Sequence, residues 1–503
     1  MPTPAPIDVT RHPVRFEAND RRVIPRFFAV GGDTRMHRIL ERVHSLSDAR
    51  VEALLAEVYD DFRPRHRRIE LAFDRHLGYL LPKVPQLAEL PENRRRLIGS
   101  YFTMEYTIES AALFNPSIVP HPDQSGTPDG DLRFIMSLRA TGEGHVSSIV
   151  FRTGTVTANG AVDFDRSSQY VAKMRVDPDK KLDKHLFFLK LIEMGAYSDA
   201  ARVVLEELPD TFTFEQLDGK THEVKHRPGS PRPFDDAARN MRWLARSNYT
   251  LRIPEDAEPD EIVVFPTSEN ESRGIEDARL TRFTEDDGTV TYYGTYTAYN
   301  GFKILPQMFE TQDFKTIAVH TLNGKHVQNK GMALFPRKID GFYRMVSRLD
   351  GENMFMMKSD NPYFWNEAQT LCEPVFPWEF VQVGNCGPPI ETEHGWLLLT
   401  HGVGPVRQYC IGAVLLDLED PTRVIGQLDQ PLLVPQENER NGYVPNVVYT
   451  CGALAHGDTL VMPYAVSDSA TTVATLSLGE LLEHLTNRSK TCPLPDRRVS
   501  QRA

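Results

Sequence analysis

Residues Glu271-Ser-Arg-Gly-Ile-Glu-Asp-Ala-Arg-Leu280 place two adjacent carboxylates, Glu276 and Asp277, between two arginines, Arg273 and Arg279. Carboxylates among cations suit acid/base chemistry: one can pair with arginine and stay ionised while the other keeps a proton. The runs Glu261–Phe265 and Thr289–Thr297 on either side read as strands, which puts the pair on a loop linking them. The same composition also fits a solvated turn with surface ion pairs, because such side chains are mostly exposed.

The elements around this segment change along the chain. The first twenty or so residues are polar and proline-rich and read as an extended arm. Leu54, Leu55 and Val58, then Ile69, Leu71, Phe73 and Leu77, recur at helical spacing between Ser47 and Leu80. A third helix is expected from Asn93 to Leu113, ended by Asn115-Pro116. After Phe114 short β-rich runs alternate with turns, apart from a helical insertion over about residues 180–217. Arg227–Arg232 reads as a loop, and the chain from Asn487 onward as a polar, unstructured tail. The organisation expected is a helical subdomain and arm over 1–113, a β domain over 114–486 and a tail over 487–503.

The β-rich part carries a weak repeat in which a turn residue precedes an alternating aromatic/aliphatic strand with a polar residue near its end. It occurs at Asp131–Arg139, Gly288–Tyr296, Gly341–Arg348, Gly395–His401 and Gly457–Tyr464. The last three spacings, of about 50 to 60 residues, suggest propeller blades, the first spacing being longer because it contains the helical insertion, and five instances suggest five blades. A β-sandwich with hairpins imitates the pattern. In a propeller the strand ends converge on a central funnel, which would bring Arg139, Glu276, Asp277, Arg348, His401 and Asp468 together.

Composition narrows the function. A net charge of −12 argues against a nucleic-acid partner, because phosphate backbones need a basic face. The five cysteines contain no C-x-x-C pair and are odd in number, which disfavours a zinc ribbon or a disulfide framework and fits free thiols in a reducing cytoplasm. The start of the chain has no basic then apolar pattern of a secretory signal, and no run is long and apolar enough to span a membrane. Neither metal-ligand spacing nor a P-loop stands out, so no metal and no cofactor is expected.

Several short motifs occur in a particular order: Phe114-Asn-Pro-Ser117, Ser137-Leu-Arg-Ala140, Ser147-Ser-Ile149, Gly274-Ile-Glu-Asp-Ala-Arg279, Lys330–Pro336, Ser347-Arg348, Gly387-Pro-Pro-Ile390, Gly395-Trp396, His401-Gly402 and Ser467-Asp468. Together they resemble glycoside hydrolase family 130, the β-mannoside phosphorylases and related β-mannosidases, over roughly residues 114–478. The resemblance implies an all-β core, a five-bladed β-propeller, here with an N-terminal α-helical subdomain and a helical insertion. It implies Asp277 as general acid, acting through the 3-hydroxyl of the mannosyl unit. Glu276 and Arg279 belong to the same motif, with Arg279 orienting or ion-pairing the carboxylates. Asn115, Ser117, Arg139 and Asp468 match positions that hold sugar. Lys330, Arg348 and His401 match the phosphate-holding positions. Two departures stand out: Gln382 where the family has a further lysine, and Gly331 where some members have asparagine.

The anion site decides the reaction type. An inverting hydrolase needs an acid and a water-activating base, whereas a phosphorolytic enzyme needs one acid and a basic pocket. The expectation is therefore inverting phosphorolysis of β-mannosides, with a mannose-containing oligosaccharide and inorganic phosphate as substrates. No nucleic acid or membrane is expected as partner, and the N-terminal helices are candidates for homo-oligomer contacts. The alternatives are a β-mannosidase of the same family, with Glu276 or Glu391 as base, and a non-catalytic sugar-binding propeller. Tyr443, Tyr464 and Trp396 could stack on sugars but read as packing residues.

Overall fold

The computed structural model describes residues 2, 5–229, 231, 234–254, 257–302 and 304–491. Its centre is an all-β core of several sheets, flanked by two groups of helices. Strand pairing resolves the core into antiparallel units that follow one another along the chain. The first is Ala112–Pro120, Leu132–Thr141, Ser147–Val156 and Val162–Phe164. The second is Gly274–Thr284, Val290–Tyr299, Ile304–Thr311 and Thr316–Thr321, widened outward by Tyr249–Arg252 and Arg175–Asp177. A parallel contact of Gly274 with Ser147 joins these two into one larger sheet, and the short strand Ile262–Val264 adds to the first unit alongside Ser147–Val156.

The third unit is Lys330–Leu334, Tyr343–Arg348, Met354–Ser359 and Glu367–Cys372. The fourth is Gln382–Asn385, Gly395–Val403, Tyr409–Leu416 and Val424–Gln427. The fifth is Val448–Tyr449, Thr459–Val466 and Ala470–Ser477, completed by Thr10–Phe16 from the other end of the chain. All five repeat instances fall on strands of these units. The expected arm is indeed extended, but it is ordered structure: Thr10–Phe16 closes the fifth unit and Asn19–Phe27 pairs with Thr103–Glu109.

Before the core stand α1 (Asp33–His44), α2 (Asp48–Phe62), α3 (Ile69–Gly78) and α4 (Glu92–Tyr101). Ser47 caps α2, its hydroxyl accepting from the Arg50 amide. Met36, Leu40, Val43, Val51, Leu77, Leu97 and Ile98 form the core between them. The expected third helix stops at Tyr101 rather than Leu113. Thr103, Tyr106, Thr107 and Ile108 are β-branched or aromatic, and the Asn19–Phe27 strand offers them a partner. Asn115-Pro116 is accordingly not a helix-ending turn; it lies inside the strand Ala112–Pro120.

The helical insertion is longer than expected. It holds α5 (Lys184–Glu193), α6 (Asp199–Glu206), α7 (Phe214–His226) and α8 (Asp235–Arg246), packed around Phe187, Leu191, Val204, Phe212, Leu217 and Met241. A capping box of Thr213 and Gln216 starts α7 just inside the expected boundary and the helix runs past it to His226. Of the expected loop Arg227–Arg232, Ser230 and Arg232 lie outside the described residues. The expected tail begins within a helix, since α9 (Leu478–Thr491) runs past Asn487; residues 492–503 lie outside the described residues. Cys372, Cys386, Cys410 and Cys451 are buried free thiols, and Cys492 is outside the described residues. No helix of the described residues is long and apolar enough to cross a membrane.

The paired strands Asn19–Phe27 and Thr103–Glu109 are tied to the core by buried charge. Arg22 and Arg152 both face the Glu109 carboxylate, at 2.8 and 3.0 Å, with all three side chains shielded from solvent. The Arg22 guanidinium also donates to the carbonyls of Ser168 and Asp260. Removing one partner of a buried ion pair leaves its counter-charge uncompensated. Glu109→Ala is therefore expected to destabilise the fold by about 3–5 kcal/mol, read as a lower urea midpoint at unchanged slope. A loss below about 1 kcal/mol would show that water reaches these guanidinium groups.

Candidate active site

Glu276 and Asp277 lie within the strand Gly274–Thr284, not on a loop. The pairing with Val290–Tyr299 slips here: Glu276 faces Thr297 and Arg279 faces Thr295, so Asp277 and Ala278 stand opposite Tyr296 alone. This β-bulge puts Asp277 at φ 57°. Two further bulges occur in the first strands of neighbouring units. Asn115 and Pro116 stand opposite Leu138, with Asn115 at φ 51°. Gly331 and Met332 stand opposite Ser347, with Gly331 at φ 88°. A bulge re-aims the side chains beside it, and these three aim theirs at one another.

Arg139 bridges the two carboxylates, donating to Asp277 Oδ1 at 3.2 Å and Glu276 Oε1 at 2.8 Å. Its Nε donates to Ser147 Oγ at 2.9 Å, and its guanidinium lies over the Phe114 ring. Asn115 Nδ2 donates to Asp277 Oδ1 at 2.7 Å, while its own Oδ1 is buried without a partner. Lys330 Nζ donates to Glu276 Oε2 at 2.7 Å. Glu276 is thus held from both sides by cations of the first and third units.

The contacts continue to the remaining expected residues. Lys330 faces Arg348 across its strand pair, and Arg348 Nη1 lies 3.3 Å from His401 Nε2. The Gln382 amide lies 3.4 Å from the same nitrogen. His401 stacks on Tyr409 and meets Tyr449 edge-on. The Tyr449 hydroxyl accepts from Arg279 Nη2 at 2.7 Å, and Arg279 Nη1 donates to the Asp277 carbonyl at 2.9 Å. A closed path of contacts therefore links Asp277 to His401 and Arg348. Two glycines make room for it: a Cβ on Gly331 would meet Arg348 Nε at 2.6 Å, and one on Gly384 would meet Arg348 Cδ at 2.4 Å. An asparagine at 331 would require Arg348 to move.

Three expectations need correction. Burial pushes the Asp277 carboxyl up, but Arg139, Arg279, Lys330 and the Asn115 hydrogen bond outweigh it and hold the group well below the usual carboxylate range. Asp277 is thus ionised in the unliganded protein, not protonated. His401 adds no positive charge to the expected basic pocket, because burial and the charges of Arg348 and Arg279 depress its pKa well below the usual range. Of the two roles expected for Arg279, orienting fits and ion-pairing does not: it is buried, donates to the Asp277 carbonyl and makes no ion pair with either carboxylate among the described residues.

Ser117 also serves the wall rather than the cavity. It is buried, and its hydroxyl accepts from the Leu280 amide at 2.9 Å. Glu391, a candidate base, forks with Arg337 at a half-exposed position apart from this cluster. Trp396 and Tyr464 are buried as expected, whereas Tyr443 is exposed. Tyr409, Tyr449 and Gly384 were invisible to motif reading, since a tyrosine in an apolar strand and a glycine near a turn carry no signal of their own. Among the described residues no group of His, Cys, Asp and Glu could hold a metal ion.

Asp468 stands apart electrostatically. It lies with Ser467 in a turn of positive φ, at 51° and 48°. Burial and the neighbouring Asp277 raise its pKa from 3.8 to about 6, against the pull of Arg139 and Arg407.

The family model for glycoside hydrolase family 130, described as beta-1,4-mannooligosaccharide phosphorylase, matches residues 249–487. Beta-1,2-mannobiose phosphorylase of Listeria innocua serovar 6a is 32% identical over 255 residues, 49% of this chain and 69% of that protein. A 1,2-beta-oligomannan phosphorylase of Thermoanaerobacter sp. strain X514 is 34% identical over 233 residues, 44% of this chain and 74% of that protein. The solved complex of the Listeria innocua enzyme with beta-1,2-mannobiose is 22% identical and covers 75% of this chain and 92% of its own, at a TM-score of 0.44. The chain belongs to glycoside hydrolase family 130.

The Asp468 shift has a stability consequence. Between about pH 4 and 6 the folded state holds a proton here that the unfolded chain has released, so this group's stabilisation is present below that window and lost as pH rises through 6. Asp468→Asn removes the slope. The variant is expected to melt above wild type at pH 7.5, with the gap closing at pH 4.5; a gap independent of pH would refute the assignment.

Proposed function

We propose that this chain catalyses inverting phosphorolysis of β-mannosides, giving α-mannose 1-phosphate and a shortened acceptor. The observation that carries the reading is the closed contact path joining the Asp277 carboxylate to Arg348 and His401 through Lys330 on one side and Arg279 on the other. The names of the relatives support the same reaction class, and they include both β-1,2 and β-1,4 mannosides. We further infer that the five antiparallel units are propeller blades. Successive blades supplying Asn115 and Arg139, then Asp277, then Lys330 and Arg348, then His401, then Asp468 would account for their convergence. On this view residues 114–486 form the catalytic domain, closed by the N-terminal strand.

Arg348 and Lys330 supply positive charge for hydrogen phosphate, while neutral His401 and Gln382 supply hydrogen-bonding groups beside it. Arg139, Asn115 and Asp468 line the place for the mannosyl ring. Phosphate oxygen attacks C1 from the face opposite the scissile bond, the C1–O bond to the leaving sugar breaks, and the leaving oxygen takes a proton. That proton need not reside on Asp277 at rest. Hydrogen phosphate brings one and loses it on becoming the sugar ester, so the reaction balances without an outside acid. The arriving dianion also offsets the cations that keep Asp277 ionised, raising its proton affinity when a relay is needed.

Hydrolysis would need a second carboxylate free to activate water. Glu276 is held by Arg139 and Lys330, and Glu391 is engaged with Arg337 outside the cluster, so neither fits that role.

With β-mannobiose as substrate, α-mannose 1-phosphate should form only when phosphate is present, and Asp277→Asn should lower kcat by about 10²–10⁴-fold. Phosphate-independent release of mannose at the same rate would overturn phosphorolysis, and full activity of the variant would remove Asp277 from the mechanism.

A further inference from the structure

Tyr443 is 75% exposed, and its ring stacks on His145 with centroids 6.1 Å apart and planes 28° from parallel. Nothing in the chemistry above uses either ring. Both are nevertheless held beside residues that do enter it. His145 sits at the tip of the hairpin between Leu132–Thr141 and Ser147–Val156, with φ 58°. Ser147, two residues on, accepts from the Arg139 guanidinium that bridges the carboxylates. The strand Thr103–Glu109 braces this tip. The Tyr106 hydroxyl donates to the Glu143 carbonyl at 2.7 Å, and a Cβ on Gly142 would meet the Thr107 carbonyl at 2.5 Å.

Tyr443 is fixed through its backbone to the turn that presents Asp468. Its amide donates to Ser469 Oγ at 2.9 Å, and the Val444 amide donates to the Ser467 carbonyl at 3.1 Å. The ring pair therefore stands at the solvent edge of the site, between the segments carrying Arg139 and Asp468. A second tip, Gly404–Gln408, comes from the fourth unit and repeats the conformation. Gly404 donates to the Gln408 carbonyl at 2.9 Å as Gly142 does to Val146 at 3.0 Å, and Val406 and Arg407 have φ 58° and 55°. Val406 is 89% exposed. A β-branched side chain at positive φ is a strained arrangement, held here on an open surface. Arg407 has no hydrogen-bonded or ion-paired partner among the described residues, lies over the Tyr409 ring and is close enough to Asp468 to favour its ionised form.

An exposed aromatic pair next to a buried polar cluster fits a ligand with one apolar and one polar side. A pyranose is such a ligand: its axial C–H bonds pack on a ring face while its hydroxyls reach outward. The mannosyl ring that reacts must lie deep, against Asp277 and Asn115, so the platform at the edge meets the sugar on the leaving side. We propose that His145 and Tyr443 form the stacking platform for this acceptor sugar, with Arg407 on the Gly404–Gln408 tip as a hydrogen-bond donor to its hydroxyls. The inference rests on the phosphorolysis reading and adds which side chains select the acceptor.

The reverse reaction tests it, with α-mannose 1-phosphate as donor and mannose as acceptor, followed by phosphate release. Tyr443→Ala should raise the acceptor KM about tenfold while kcat at saturation and the donor KM change less than twofold. Tyr443→Trp should restore the acceptor KM, and Arg407→Ala should raise it more modestly. An unchanged acceptor KM in both alanine variants, or a fall in kcat alone, would overturn the proposal. Were the wild type to show no phosphate-dependent turnover, the reaction assigned above would fall. Titration of β-mannobiose into wild type and Tyr443→Ala would then still decide the platform, and equal affinities would overturn it.

Discussion

The arrangement depends on neutralising adjacent carboxylates in a largely enclosed space. Glu276 and Asp277 follow one another in the chain and share Arg139, while Lys330 takes the remaining oxygen of Glu276. Desolvated carboxylates this close repel strongly unless cations sit between them. Those cations come from the first and third antiparallel units, whereas the carboxylates come from the second. Charge balance therefore fixes how three units face one another. Asp468, supplied by the fifth, has no cation at hydrogen-bond distance among the described residues and carries the imbalance as a raised proton affinity.

Irregular backbone makes this balance reachable. A regular pleat would send neighbouring side chains to opposite faces. The bulges at Asn115, Asp277 and Gly331 break that alternation at comparable places in three successive units. Asparagine, aspartate and glycine are the residue types that tolerate positive φ at least strain, so the same residues satisfy backbone and chemistry. Arg279 adds support from below, fixing the bulge through the Asp277 carbonyl and the Tyr449 hydroxyl.

Much of this was legible in the sequence. The repeat located a strand in every unit, because alternation is a local property. The motif order named the residues that meet. Local pattern misled where a distant partner decided the outcome. Thr103–Glu109 looked like the end of a helix until Asn19–Phe27 paired with it. The acidic pair looked like a loop because a bulge leaves no mark in the sequence. Ser117 and Arg279 belong to the expected motifs yet face inward, as a motif records the residue and not its direction. The protonation of Asp277 could not be read at all, since Arg139 and Lys330 reach it from far along the chain.

The pairing of Thr10 with Thr475 and of Phe16 with Thr471 joins nearly the two ends of the chain. Such a pairing has very high sequence separation, and contacts of that kind form late and slow assembly. During synthesis the strand Thr10–Phe16 emerges long before Ala470–Ser477 and must wait for it before it finds its place. Through that interval the fifth unit has an open edge, the feature that invites sheet-to-sheet aggregation. The positive charges of Arg11 and Arg15, with Pro13 between them, act as gatekeepers on the waiting segment while nascent chains are crowded together.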